Sequence, residues 1–308
     1  MTVVRDGADA DLEAVCAIAA ASLDLDTDDA ALLPRLLWPE DAGTVRVRLV
    51  AVQEDAVVAV LLGSLQGEDA FLDLIAVAPD ARGAGVGRAL LVAWEERAAT
   101  NGAVRSRAGE NLQTYAWPGV DIRYTPALAM LLRSGYARTR IGYHMDLPLQ
   151  GFEADDERDL TRLAAAGIEV RRGRPDDAPA VAVHTKQLWS DVWFRETRAA
   201  LHRDPPPIFL ALRQDRVVGF AVHGLHRSSL YGPIATDPAE QGHGIGRVLS
   251  SLCLEDMAAR AVSTAQICWV AETAIPFYSR TAGARLGRCF WMMTKPLDAK
   301  EGQDDRNP

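Results

Sequence analysis
The chain has 308 residues, enough for two domains of ordinary size, each with its own core. A net charge of -9 without a basic stripe argues against nucleic acid as the main partner. No apolar run approaches the roughly 18 residues of a membrane span, and the first residues lack a signal-peptide core, so no membrane partner and a cytoplasmic location are expected.

In chain order, a strand at 2–5 opens the sequence, and Asp9 or Asp11 can cap an alanine-rich helix running to Ser22. A second helical stretch, 27–38, is interrupted by Pro34 and stopped by Pro39. The β-branched runs 45–53 and 57–66 flank Glu54-Asp55 and read as a hairpin. A strand over 71–77 leads through Pro79 into Arg82-Gly83-Ala84-Gly85-Val86-Gly87-Arg88, and an amphipathic helix follows over 89–99. A fifth strand, 103–107, precedes a looser stretch holding Tyr115 and Tyr124. Pro126 suits the first turn of a short helix ending at Gly135, and 136–147 closes the unit as a strand. Residues 151–167 are acidic, then helical in pattern, and read as a linker.

The second half repeats the first. Val170-Arg171-Arg172 corresponds to Val3-Val4-Arg5, and Gln214-Asp215 to Glu54-Asp55. Pro238 matches Pro79, and Gln241-Gly242-His243-Gly244-Ile245-Gly246-Arg247 matches the first glycine loop, at an offset of 159. The closing glycines Gly135 and Gly283 stand 148 apart, so the first copy carries an 11-residue insertion before its last helix. The expected domains are 1–150 and 168–297, with 298–308 a polar, disordered tail. The four cysteines (Cys16, Cys253, Cys268, Cys289) form no CxxC pair and read as reduced thiols, and no metal-ligand spacing appears.

Each glycine loop joins a strand to a helix, a turn that fans free backbone N–H groups at the positive end of the helix dipole and suits a phosphate. Arg88 and Arg247 stand where the dinucleotide fingerprint needs its third glycine, and neither loop has the lysine of a nucleotide P-loop. Both loops resemble [RQ]-x-x-G-x-[GA], the coenzyme A loop of the GNAT acetyltransferase superfamily. The element order of each half, β-α-α-β-β-β-α-β-α-β, is also that of the GNAT fold. The resemblance implies a mixed α/β (α+β) chain of two tandem GNAT domains, each a central, mostly antiparallel twisted sheet flanked by helices. It implies acetyl-CoA as cofactor, bound at Ile75, Ala76, Val77 and 82–88 in the first copy, and at Ile234, Ala235, Thr236 and 241–247 in the second.

Many GNAT members use a tyrosine on the last helix to protonate the leaving thiolate. Phe277-Tyr278 followed by Gly283 matches that pattern, whereas the same position in the first copy is Met130. Gly232-Pro233 suits the bulge that parts two strands around the pantetheine arm. No carboxylate stands on the fourth strand where some members keep a base; the counted positions are Phe71 and Leu230. Glu272 and His226 are candidate bases, with a water chain an equal alternative. Trp189, Asp191 and Trp193 could wall an acceptor amine, although i, i+4 spacing puts the two tryptophans on one helix face, which slightly favours core packing. The expected activity is N-acetyl transfer to a small amine in the C-terminal copy of a monomer or homodimer. The N-terminal copy would be catalytically degenerate yet able to bind coenzyme A. A non-catalytic acyl-CoA sensor, or transfer of another acyl group, is the alternative.

Overall fold
The computed structural model describes residues 1–27, 29–40, 44–111 and 117–297. Tyr115 and the expected disordered tail, 298–308, lie outside the described residues. The first copy runs β1 (Val3–Asp6), α1 (Leu12–Ser22), α2 (Leu33–Leu37), β2 (Val45–Gln53), β3 (Ala56–Gln66), β4 (Asp69–Val77), α3 (Val86–Thr100), β5 (Arg105–Ala108), β6 (Val120–Asp121), α4 (Thr125–Arg133) and β7 (Ala137–Pro148). Next come α5 (Glu157–Ala165), β8 (Glu169–Arg172), α6 (Ala178–Leu188), α7 (Asp191–Leu201), β9 (Ile208–Arg213), β10 (Arg216–His223) and β11 (Leu230–Thr236). The chain ends with α8 (Ile245–Ala259), β12 (Thr264–Val270), α9 (Ile275–Ala282) and β13 (Arg285–Pro296).

Packing groups these elements into two units, 1–142 with 290–297, and 143–289. In the first, the strand order is β1-β2-β3-β4-β5, followed by the end of β13, whose residues Met293–Pro296 pair antiparallel with β5. In the second it is β8-β9-β10-β11-β12, followed by the end of β7, which pairs antiparallel with β12. Among the described strand pairs only β4–β5 and β11–β12 are parallel, so each sheet is mostly antiparallel. The chain thus leaves the first unit within β7 and returns to it within β13.

Both faces of each sheet are covered. In the first unit Leu49 and Leu61 face α3, against Leu90, Leu91 and Trp94, while their neighbours Val50 and Leu62 face α1 and α2, against Val15, Ile18 and Trp38. That alternation is the pleat's period of two. In the second unit Ala221 and Ile267 pack with Leu249, Cys253 and Met257 of α8, and Phe220 and Val222 pack with Val181 and Leu201 of α6 and α7. Among the described residues no helix is long and apolar enough to cross a membrane.

The duplication extends to local detail. Glu54-Asp55 and Gln214-Asp215 all have positive φ, between +47° and +65°, the two-residue turn whose twist matches a hairpin. Asp11 accepts from the Ala8 N–H (2.8 Å) and from Arg5 (2.7 Å); Asp177 accepts from the Arg174 N–H (2.7 Å) and from Arg171 (2.8 Å). Arg171, not Arg172, is therefore the partner of Arg5, one residue away from the register expected from sequence. Of the stretch expected to be helical over 27–38, only the five residues of α2 are helical among the described residues, because Pro34 cannot donate inside a longer helix.

Gly63 on β3 lets the Trp94 ring pack directly against the strand. A Cβ there would stand 2.5 Å from the indole and 2.8 Å from the Phe71 carbonyl oxygen. Gly63→Ala should cost about 1–3 kcal/mol, the range for overpacking a dense core, read as a lower denaturation midpoint at unchanged m-value.

Candidate active site
The strands β4 and β11 each end in a proline-led turn, Pro79–Ala81 and Pro238–Glu240, and then in a glycine loop. Gly85 (φ +79°) and Gly244 (φ +83°) are the N-caps of α3 and α8, in the left-handed region that other residues enter only with strain. Val86 and Ile245 behind them are buried and seat each helix on its sheet, while Arg88 and Arg247 are exposed. The first residue of each loop folds back onto its strand: Arg82 Nε donates to the Val77 carbonyl (3.1 Å) and Gln241 Nε2 to that of Thr236 (3.4 Å). His243 Nδ1 lies 3.1 Å from the Glu240 carbonyl. No heavy atom lies within 4 Å of where a Cβ would stand on Gly83, Gly85 or Gly242. Each loop therefore fits a pyrophosphate: space is open beside Gly83 and Gly85 in the first and beside Gly242 in the second, at the N–H groups a helix leaves unpaired in its first turn.

A bulge interrupts the strand before each loop. Leu62 pairs with Leu74 but Gly63 with Leu72, which leaves Asp73 as the extra residue. Ala221 pairs with Ile234 but His223 with Tyr231, which places the extra residue at Gly232-Pro233. Asp73 and Gly232 match at the same 159-residue offset. The parallel partner then parts from the strand: β11 pairs with β12 only at Leu230–Gln266 and Tyr231–Ile267, and β4 with β5 only as far as Leu72–Ala108. The two gaps are furnished differently. Asp73 is held by Ser64 Oγ (2.8 Å), Asn111 Nδ2 (2.6 Å) and Arg46 (3.4 Å), so a buried polar network occupies the first bulge. Gly232 has no heavy atom within 4 Å of its missing Cβ.

Tyr278 projects from α9, half-buried, with its ring edge-on to Tyr231 (centroids 6.2 Å) and to Phe277 (5.1 Å). Tyr231 precedes the bulge, so α9 brings the phenol to the strand that opens the gap. Burial pushes the Tyr278 hydroxyl up to about 12, and it stays protonated at neutral pH. In the first unit Met130 places its sulfur 3.2 Å from the missing Cβ of Gly87. Tyr124 donates to Asp26 (2.9 Å), which also accepts from Trp117 Nε1 (3.1 Å), tying the inserted segment to the turn after α1.

The remaining candidates separate. Glu272 is exposed in the turn before α9 and accepts from the Tyr143 hydroxyl (3.3 Å). His226, in the loop between β10 and β11, donates from Nε2 to Glu196 Oε1 of α7 (2.9 Å); Glu196 is buried and the His226 ring is about half exposed. Next to it, Arg227 reaches the sulfur of Cys268, the first β12 residue beyond the paired segment (3.7 Å), so this loop hangs at the apex of the gap. Trp189 and Trp193 do not share one helix. Trp189 ends α6, and Ser190 then caps α7 by accepting from the Trp193 N–H. Their indoles nonetheless meet at 5.3 Å, and both pack on the core under α6 and α7. Trp189 Nε1 donates to His184 Nε2 (3.2 Å), which burial holds below the usual histidine range and so leaves neutral and able to accept. Asp191 is exposed in the first turn of α7.

Two side chains that the sequence reading passes over stand at the second loop. Asp159 of α5 forms an ion pair with Arg247, and Arg162 of α5 places Nη2 2.7 Å from the missing Cβ of Gly244. Neither belongs to a motif; their place depends on where α5 docks.

Residues 16–117 and 174–284 match the acetyltransferase (GNAT) family. Similar curated proteins include the mycothiol acetyltransferases of Thermomonospora curvata (32% identity over 61% of this chain) and Geodermatophilus obscurus (29% over 70%). This chain spans 61% and 71% of their respective lengths. Among solved structures, a tandem GNAT protein from the clavulanic acid biosynthesis pathway shares the fold at a TM-score of 0.71 and 18% identity, over 97% of this chain and 99% of that one. A GCN5-related glucosamine N-acetyltransferase region of a fungal β-N-acetylglucosaminidase does so at 0.78 and 19%, over 96% of this chain and 38% of that one. Two GNAT matches, on two copies of the same loop, bulge and parted strand pair, make this chain a tandem member of the GNAT acetyltransferase family, whose members are acyltransferases that generally use acetyl-CoA.

Proposed function
We propose that the chain is an acetyl-CoA-dependent N-acetyltransferase for a small amine, with its chemistry in the C-terminal copy and a coenzyme-binding but degenerate N-terminal copy. The observation that carries this reading is the pairing of Tyr278 with an open bulge at Gly232, against Met130 and the filled bulge at Asp73. A thioether donates no proton, and a bulge occupied by a bonded carboxylate offers a thioester less room. The likeness to mycothiol acetyltransferases supports a small-molecule acceptor.

Bound acetyl-CoA would supply the activated acetyl group. The loop 241–247 would hold its phosphates through backbone N–H groups, with Ile234, Ala235 and Thr236 beside the pantetheine arm; 82–88 and 75–77 would serve likewise in the first copy. Tyr278 would give its proton to the departing sulfur. His226 is the better-supported base, because a buried carboxylate fixes its ring, whereas Glu272 stands in an exposed turn. Asp191 would draw a cationic amine toward the tryptophan pair.

Three outcomes follow. Tyr278→Phe keeps the ring and removes the acid, so kcat should fall by about 10²–10⁴ at nearly unchanged acetyl-CoA affinity; Met130→Leu should leave kcat alone. Equal effects from the two in steady-state kinetics would make Tyr278 structural. Gly244→Val should abolish turnover, since the new side chain enters the phosphate space at a left-handed position, whereas Gly85→Val should keep most of it. His226→Gln should cost about 10²-fold or more in kcat/KM; a larger loss from Glu272→Gln would transfer the role. A protein that binds acetyl-CoA but releases no thiol with any amine in a broad panel would be a sensor instead.

A further inference from the structure
The stretch read as a linker contains α5, and α5 is firmly docked. Leu163 is fully buried and, with Leu160, packs into the core that includes Leu254 and Met257 of α8; Arg213 donates to the Ala166 carbonyl beyond its end (2.7 Å). Asp159 and Arg162, three residues apart, share the face turned to the second glycine loop. Asp159 is mostly buried, with 16% of its side chain exposed, and binds both Arg247 and Arg162. Arg162 is half exposed, with its guanidinium over Gly244, whereas no atom approaches the matching Gly85.

We infer that α5 belongs to the coenzyme site of the second copy: Arg162 is a ligand for the pyrophosphate, and Asp159 is an internal anion that holds Arg247 until the phosphates replace it. This rests on the reading of 241–247 as a coenzyme loop. A guanidinium presents a planar fork that matches phosphate oxygens, and here it lies beside N–H groups that favour the same anion. A carboxylate at that place repels a phosphate and competes for Arg247. The two α5 residues therefore act in opposite directions, which a helix that merely braces the loop would not produce.

The test is amide hydrogen exchange of the 242–247 segment in the full-length protein, titrated with coenzyme A so that the second loop's dissociation constant is read separately from the first. Arg162→Ala should weaken binding there about 10- to 100-fold, the range for a lost charge-assisted hydrogen bond, and equally so with 3′-dephospho-coenzyme A. Asp159→Asn should tighten it about two- to fivefold. Exchange in 83–88 should follow the wild-type titration in both variants. Weakening by both substitutions, or unchanged constants in both, would overturn the inference. No protection of 242–247 in the wild-type protein would instead remove the coenzyme reading on which it rests.

Discussion

The left-handed glycine at the start of α3 and of α8 is the constraint on which the candidate site depends. Gly85 and Gly244 turn a sheet strand into a helix within a few residues, and the helix must then begin with unpaired N–H groups aimed away from its own core. Val86 and Ile245 fix that beginning by burial, so each loop is open to a ligand yet held by the sheet. The bulge lies upstream on the same strand. Loop and gap are consequently built by one element, and a long ligand could meet phosphate donors at one end and the parted strands at the other.

Duplication has kept this framework twice while the side chains around it have diverged. The first copy carries a hydrogen-bonded carboxylate at its bulge, a thioether against its loop, and an inserted segment joined through Tyr124 and Trp117 to Asp26. The second carries a glycine at its bulge, a phenol on its last helix and a charged helix beside its loop. The backbone features are those that glycine, proline and strand register enforce, and they persist. The differences lie in side chains that could give or take protons and charge.

Much of this was legible in the sequence because its signals are local. Glycine spacing, proline-led turns and the two-residue hairpins depend on neighbours a few positions away, and β2, β3, β4, α3, α4 and β7 fall close to where the residues place them. What the sequence leaves open is set at a distance. A closing strand such as β7 reads the same whichever sheet its end joins, so the passage of the chain between units has no local mark. Trp189 and Trp193 have helical spacing, yet Ser190 breaks the helix between them. Asp159 and Arg162 look like an ordinary solvated pair until α5 docks beside the loop. His226 gains weight only from Glu196, thirty positions away.

The most direct measurement is electron density for the protein crystallised with coenzyme A. The account places a pyrophosphate against the N–H groups of 242–246, with the pantetheine arm entering the gap between β11 and β12 and its sulfur approaching the Tyr278 hydroxyl. Coenzyme seated only in the first unit, or bound away from both glycine loops, would contradict it.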